Sequence, residues 1–163
     1  MKYKCSECGR VHDELPRFFM RKLPETADGS TIHVKQDHKS MCRTEDRTFV
    51  RCEIEVPIAG AAAGPLGFIV WVEVASEDYQ RLLVFRRNEK AEPDFSTWLE
   101  GTLANPVSAV PESFGTPVKF EVRKGDPTPY ITWVAPGTSL AALLETGASV
   151  GFWHDVAEGR FDR

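Results

Sequence analysis

The sequence lacks any long uninterrupted hydrophobic run. Its longest apolar stretch, AGAAAGPLGFIVWV, is broken by three glycines and a proline and is too short to cross a bilayer as a helix. The N-terminal stretch MKYKCSECGR has no apolar segment after its basic residues, so we expect no signal peptide, no membrane segment and a cytoplasmic location. Cysteine is scarce, with four residues in 163. Because cytoplasmic thiols are usually kept reduced, these cysteines do not indicate a disulfide framework.

Several enzyme signatures are also missing from the sequence. It contains no H-E-x-x-H, no G-x-S-x-G and no paired-carboxylate pattern. The glycine-rich segment GAAAGPLG lacks the lysine and the serine or threonine of a phosphate-binding loop, so its glycines are expected to serve a turn. These absences argue against the common hydrolase and nucleotide-binding classes.

The composition is that of one globular domain. Hydrophobic residues make up 42% of the chain and charged residues 27%, with a net charge of −4. The charge is uneven: residues 1–51 carry 11 Lys/Arg against 8 Asp/Glu, a net +3, and residues 52–163 carry 9 against 16, a net −7. This basic excess is weaker than the basic stripe of a dedicated nucleic-acid binder, so it indicates solvated surface.

Alternating residues predict two paired strands near the middle of the chain. In TFVRCEIEVPI, Val50, Cys52 and Ile54 point to one side and the charged residues to the other, which is typical of a half-buried strand. Cys52 is therefore expected in the core and not at a metal site. The apolar run FIVWVEVA predicts a central strand that pairs with the first as a hairpin.

Capping and turn residues predict the remaining elements. Ser76 is placed to cap one helix, and Thr138 or Ser139 to cap another over LAALLETG, which Gly147 would end. FSTWLEGTL is interpreted as a short helix, PVKFEVRKGDPTPYITWVA as two strands about a turn, and SVGFWHDV as a strand or an extended tail. The order predicts an α+β fold: a mostly antiparallel sheet with two or three short helices and an N-terminal head that resembles a zinc knuckle.

The predicted organisation is one structural domain with two parts. Residues 1–46 form a Cys/His knuckle and an irregular head, in which Pro16 and Pro24 interrupt any long helix. This head packs on an α+β body over residues 47–163.

The stretch CSECGRVHDELP carries the most specific chemistry. Cys5 and Cys8 form a C-x-x-C turn, which can direct two thiolates at one zinc ion, and the following glycine relieves crowding where the backbone folds back. One such turn is half a tetrahedral site. Cys42 is the natural third ligand, and the fourth is His12 in the same turn or His38, which forms H-x3-C with Cys42. His33 is a more distant option.

Other interpretations of these residues are open. A C-x-x-C pair can be a dithiol redox centre, but that function expects the pair at a helix start after a strand, and four residues leave no room for one. The cysteines can also be incidental. His154 beside Asp155 is interpreted as a surface dipeptide and not as an acid–base pair.

The chain resembles the bacterial family called domain of unknown function 2199. The similarity begins with CSECGRVHDELP and continues through MCRTEDRTFVRCEIEVPI, FIVWVEVASEDY, FSTWLEGTL and SLAALLETGAS. The resemblance implies that Cys5, Cys8, His12 and Cys42 form one constellation, in preference to a set that uses His38. Cys52 stands where the family usually has glycine. Because the family is uncharacterised, the resemblance implies no activity.

Three functions are compatible with the sequence. The first is a non-enzymatic module that has a structural zinc site and binds a protein partner, because three thiolates and a histidine leave no open coordination position. The alternative is a metal-dependent hydrolase, with Glu7, Asp13 or Glu14 as a base beside a metal-bound water. The third is weak nucleic-acid binding through the basic head, which would weaken steeply with salt.

Overall fold

The fold was determined as a computed structural model that describes residues 3–4, 9–12, 18–59, 64–88, 98–108 and 110–157. The strands are β1 Tyr3–Lys4, β2 Val11–His12, β3 Phe18–Met20, β4 Lys35–His38, β5 Met41–Arg43, β6 Thr48–Val56, β7 Leu66–Val74, β8 Trp98–Leu103, β9 Pro117–Glu121 and β10 Tyr130–Val134. The helices are α1 Ser76–Arg87, α2 Ser139–Thr146 and α3 Val150–Ala157, with a 3-10 helix over Pro111–Ser113. The α+β class is confirmed.

The centre of the fold is the long antiparallel hairpin of β6 and β7. All nine residues of each strand pair, from Thr48 opposite Val74 to Val56 opposite Leu66. Cys52 is completely buried among aliphatic and aromatic side chains. The alternation in the sequence thus predicted both the hairpin and the core position of this cysteine correctly.

The sheet is not open but closes into a five-stranded barrel. β7, β8, β9 and β10 follow one another as antiparallel neighbours, and β10 then pairs in parallel with β6 at Tyr130 and Glu53. Gly101 allows β8 to lie against β7, because a Cβ atom at this position would overlap the carbonyl oxygen of Glu73. The sequence prediction missed the closure, which depends on one contact between strands that are far apart in the chain.

Three strands of the predicted irregular head extend this sheet. β3 runs parallel to the first half of β7, β5 runs antiparallel to the first half of β6, and β4 pairs with β5. The prediction of an irregular structure throughout residues 1–46 is therefore wrong for these segments. The division into a head over 1–46 and a body over 47–163 stays a prediction.

Helix α2 begins as the sequence predicts, whereas three other segments differ from their predictions. α2 has the predicted cap, since the Thr138 hydroxyl accepts a hydrogen bond from the Ala141 N–H at 3.1 Å. Ser76, in contrast, is the first residue of α1 and does not cap it. Trp98 begins strand β8, not a helix, and the segment around His154 is helix α3, not a strand or a tail.

The apolar side chains form two separate clusters. The larger cluster fills the barrel and includes the buried side of α1, with Tyr79, Leu82 and Phe85. The smaller one lies on the outer side of the β6–β7 hairpin, and we call it the outer cluster. Its buried members are Cys42, Phe49, Trp71 and Ala104, covered by Ile32 and Val34. Among the described residues, no helix has the length and apolar character needed to cross a membrane.

Candidate metal-binding knuckle

The N-terminal strands form a short hairpin around the C-x-x-C turn. β1 and β2 pair antiparallel, with Tyr3 opposite His12 and Lys4 opposite Val11. Cys5 and Cys8 belong to the connection between these strands and lie outside the described residues. The pairing brings the chain back on itself between Lys4 and Val11.

Gly9 has the backbone conformation that a tight turn after Cys8 requires. Its φ of +68° is in the left-handed region, and no atom lies within 4 Å of the position where a Cβ would be. The requirement for glycine is therefore conformational, not steric.

The predicted ligand set is not tested by the described residues. His12 is placed by its backbone in β2, opposite Tyr3, and its side chain lies outside the described part. In the described ranges, no three His, Cys, Asp or Glu side chains lie close enough together to hold a metal ion. The site of Cys5, Cys8, His12 and Cys42 thus stays a prediction, as does its zinc.

Cys42 lies in the middle of β5 and is 1% exposed. Its backbone neighbours are Gln36 on β4 and Phe49 on β6. Burial, and to a smaller extent the charge of Asp37, raise the pKa of the Cys42 thiol to about 12, with a small opposing effect of Arg51. The thiol is therefore protonated at neutral pH unless a bound cation stabilises the thiolate.

A polar network lies beside Cys42. Asp37 accepts hydrogen bonds from Arg43 Nε at 2.7 Å and from the Tyr79 hydroxyl at 2.9 Å. Burial would raise the pKa of Asp37, but these two hydrogen bonds and the charge of Arg43 outweigh it, so the pKa is lowered. Asp37 is thus an ionised acceptor that links β4 and β5 to helix α1.

The alternative histidine ligands are in different environments. His38 Nδ1 lies 3.0 Å from Ser40 Oγ. In the pairing of β4 with β5, His38 lies opposite Met41, because the register shifts between Gln36 and His38. His33 is exposed. Cys42 therefore has Gln36, and not His38, directly opposite it in the sheet.

Two buried N–H groups near the outer cluster have no hydrogen-bond partner among the described residues. They are Trp71 Nε1 and Arg51 Nε, and the Arg51 guanidinium lies 5.9 Å from the centre of the Trp71 ring. Trp71 is in the same cluster as Cys42, and Arg51 is close enough to lower the pKa of that thiol. Buried donors are nearly always paired in folded proteins, so these two N–H groups lack the acceptor that such groups usually have.

Two buried titratable residues were not anticipated as such. His154 is 3% exposed on α3, with Nδ1 3.5 Å from Asp155 Oδ1, so the prediction of a surface dipeptide is wrong. Glu53 on β6 is 7% exposed. The sequence pattern correctly placed Glu53 on the same face of β6 as Arg51 and Glu55. Its burial follows from the closing strand β10, which the sequence pattern does not indicate.

A small cleft lies where β3 and β8 separate along β7. Its volume is about 310 Å³, at the lower end of the range for ligand sites. The lining residues are Phe19, Met20, Arg21, Phe68, Ile69, Val70, Pro106 and Ser108. Most of these residues are apolar, but polar atoms form the larger part of the lining surface, and Arg21 is the titratable residue among them.

Comparisons with known proteins give one match. Searches of curated proteins and of solved structures find no match to the chain. A family model described as an uncharacterized protein conserved in bacteria, DUF2199, matches residues 4–148. This range covers the C-x-x-C motif, strands β2 to β10, α1 and α2. The chain therefore belongs to this uncharacterised bacterial family, the domain of unknown function 2199.

Proposed function

We propose that the chain is a non-enzymatic binding module in which Cys5, Cys8, His12 and Cys42 hold one structural zinc ion. The observation that carries the zinc proposal is the β1–β2 hairpin with Gly9 in a left-handed conformation directly after Cys8. A hairpin turn that ends in such a glycine is suited to directing two sulfur atoms at one ion.

The surroundings of Cys42 support its part in this site. As a free thiol it has a strongly raised pKa, whereas a thiolate bound to zinc would be ionised at neutral pH. A thiolate is also a hydrogen-bond acceptor, and Trp71 Nε1 and Arg51 Nε are buried donors in need of one. Zinc would supply the positive charge that makes this ionisation favourable.

A binding role follows from the proposed ligand set. Three thiolates and one imidazole complete a tetrahedral zinc site, which leaves no position for a catalytic water. The ion would then tie the N-terminal hairpin to strand β5. A metal-dependent hydrolase would instead need an open coordination position and a nearby base.

The zinc proposal is tested by metal content in single-cysteine variants. Protein purified without chelator or nickel resin is expected to hold about one zinc per chain. Cys5→Ser, Cys8→Ser and Cys42→Ser should each lose most of it. Cys52→Ser is the matched control, because Cys52 is equally buried but lies in the barrel core.

The choice of histidine is tested in the same way. His12→Ala is expected to lose zinc and His38→Ala to retain it, because the His38 ring contacts Ser40. Wild-type protein that is folded but free of zinc, or equal loss in Cys42→Ser and Cys52→Ser, would contradict the proposal. Circular dichroism on every variant separates metal loss from unfolding.

A further inference from the structure

The strands that close the barrel bring three carboxylates together. Glu53 lies opposite Tyr130 across the parallel contact of β6 and β10, and its N–H donates to the Pro129 carbonyl at 2.8 Å. Glu55 is two residues further along the same face of β6. Asp126 lies in the turn before β10, where Arg86 Nη1 holds its carbonyl oxygen at 2.5 Å. We call Glu53, Glu55 and Asp126 the acidic seam.

No carboxylate of the acidic seam forms an ion pair with a described residue, although Arg86 and Arg123 are close enough to Asp126 for its charge to favour the protonated form of each side chain. The Glu53 carboxyl forms no hydrogen bond or ion pair within the described ranges although the residue is only 7% exposed. Asp126 Oδ1 accepts one N–H, from Thr128 at 3.0 Å. Burial raises the pKa of Glu53, and the negative charges of Glu55 and Asp126 raise it further.

Neighbouring acids on the same barrel surface are paired. Glu121 Oε2 lies 2.8 Å from Arg123, and Glu100 Oε1 lies 2.9 Å from Lys119. Lys119 and Arg123 are therefore already paired with acids of β8 and β9. The acidic seam keeps an excess of negative charge that an incoming cation would neutralise.

Aromatic rings border the acidic seam on the outer face of β10. Tyr130 pairs with Glu121 of β9, and Trp133 pairs with Lys119. The side chains of Lys119 and Glu121 point outward, because the alternate residues Val118 and Phe120 are buried. Arg123 already lies over the Tyr130 ring at 4.8 Å, and Lys119 lies over Trp133 at 5.4 Å. Trp133 remains 41% exposed. Such rings add affinity for ammonium and guanidinium groups.

The spacing of the carboxylates favours an organic cation over a metal ion. Within the described ranges, no three acidic, histidine or cysteine side chains come close enough to share one ion. A guanidinium or ammonium on a flexible side chain can contact carboxylates that are further apart. The ligand class that fits is a lysine or arginine side chain.

We propose that the acidic seam, with Tyr130 and Trp133, is the docking surface for a lysine- or arginine-rich segment of a partner protein. The proposal rests on the binding role given above but not on the zinc ion. Glu55 and Asp126 attract the basic segment, and Glu53 accepts a cationic group at the base of the seam. The aromatic rings hold neighbouring parts of the segment.

The test is binding of fluorescein-labelled octa-arginine to the full chain, followed by fluorescence anisotropy at low salt. Glu53→Gln/Glu55→Gln is expected to raise the Kd about tenfold, since two ion pairs of up to about 1 kcal/mol each are removed. The matched control is Glu45→Gln/Glu145→Gln, which makes the same charge change at two exposed positions and should alter the Kd by less than about twofold. Equal weakening in both variants would overturn the proposal, because the peptide would then follow net charge alone.

Backbone NMR of the wild type gives a second measurement that needs no variant. Octa-arginine is expected to shift the amide signals of Thr128, Tyr130 and Trp133 and to leave those of α2 unchanged. Shifts concentrated elsewhere would contradict the docking surface. Zinc content is measured on the same sample, so that the zinc proposal and the docking proposal can be judged separately. Binding of octa-arginine at the acidic seam in zinc-free protein would contradict only the zinc proposal.

Discussion

At the scale of single residues, burial has different consequences for the buried cysteines and for Glu53. Cys42 and Cys52 both have raised thiol pKa values, chiefly because burial disfavours the thiolate. A neutral thiol is a small apolar group, so this burial has little cost. Glu53 is buried without a partner beside two further carboxylates, so its ionisation opposes folding.

The first prediction concerns the pH dependence of Glu53. Its pKa is raised in the folded protein, so the cost of ionising it is absent below the ordinary value of 4.5 and complete above the raised folded value. Glu53→Gln removes this cost. The melting temperature of Glu53→Gln relative to wild type should therefore be higher at pH 7 than at pH 4.

Thermal melts of both proteins across this pH range check the prediction. The Glu45→Gln variant is the control, because Glu45 is exposed and should show no comparable change in the difference. A difference between Glu53→Gln and wild type that does not vary with pH would contradict the prediction, because the pKa of Glu53 would then be the same in the folded and unfolded protein.

At the scale of elements, local sequence signals succeeded where neighbouring residues decide the structure. Alternation predicted β6 and β7, and the threonine before α2 and the glycine after it predicted that helix. The prediction for FSTWLEGTL was wrong because Trp98 and Leu99 also fit helical spacing. In β8 the exposure alternates instead, with Leu99 and Leu103 buried and Trp98 exposed.

The second prediction compares two residues that the sequence indicates equally as helix caps. Thr138 accepts a hydrogen bond from the backbone of α2, whereas Ser76 makes no capping bond to α1. Thr138→Ala should lower the free energy of unfolding by about 1 kcal/mol. Ser76→Ala should change it by less than about 0.5 kcal/mol.

Urea denaturation of the two variants measures this difference. Each is the control for the other, since both remove one hydroxyl near a helix start. Equal losses in the two variants would mean that Ser76 caps α1 in solution.

At the scale of the whole molecule, long-range contacts decide what the sequence did not indicate. The contact of Tyr130 with Glu53 closes the barrel, and this closure also buries Glu53 and creates the acidic seam. His154 becomes buried because its segment forms α3 and not a tail. The C-x-x-C motif was evident from the sequence, but the placing of Cys42 and Trp71 in one cluster depends on how distant strands meet.

We propose a zinc site that would join the N-terminal hairpin to β5. The most direct measurement is the zinc K-edge X-ray absorption spectrum of protein purified without added metal. We expect about three sulfur ligands near 2.3 Å and one nitrogen near 2.0–2.1 Å. Two sulfurs with oxygen ligands, or protein that is folded without zinc, would contradict this proposal.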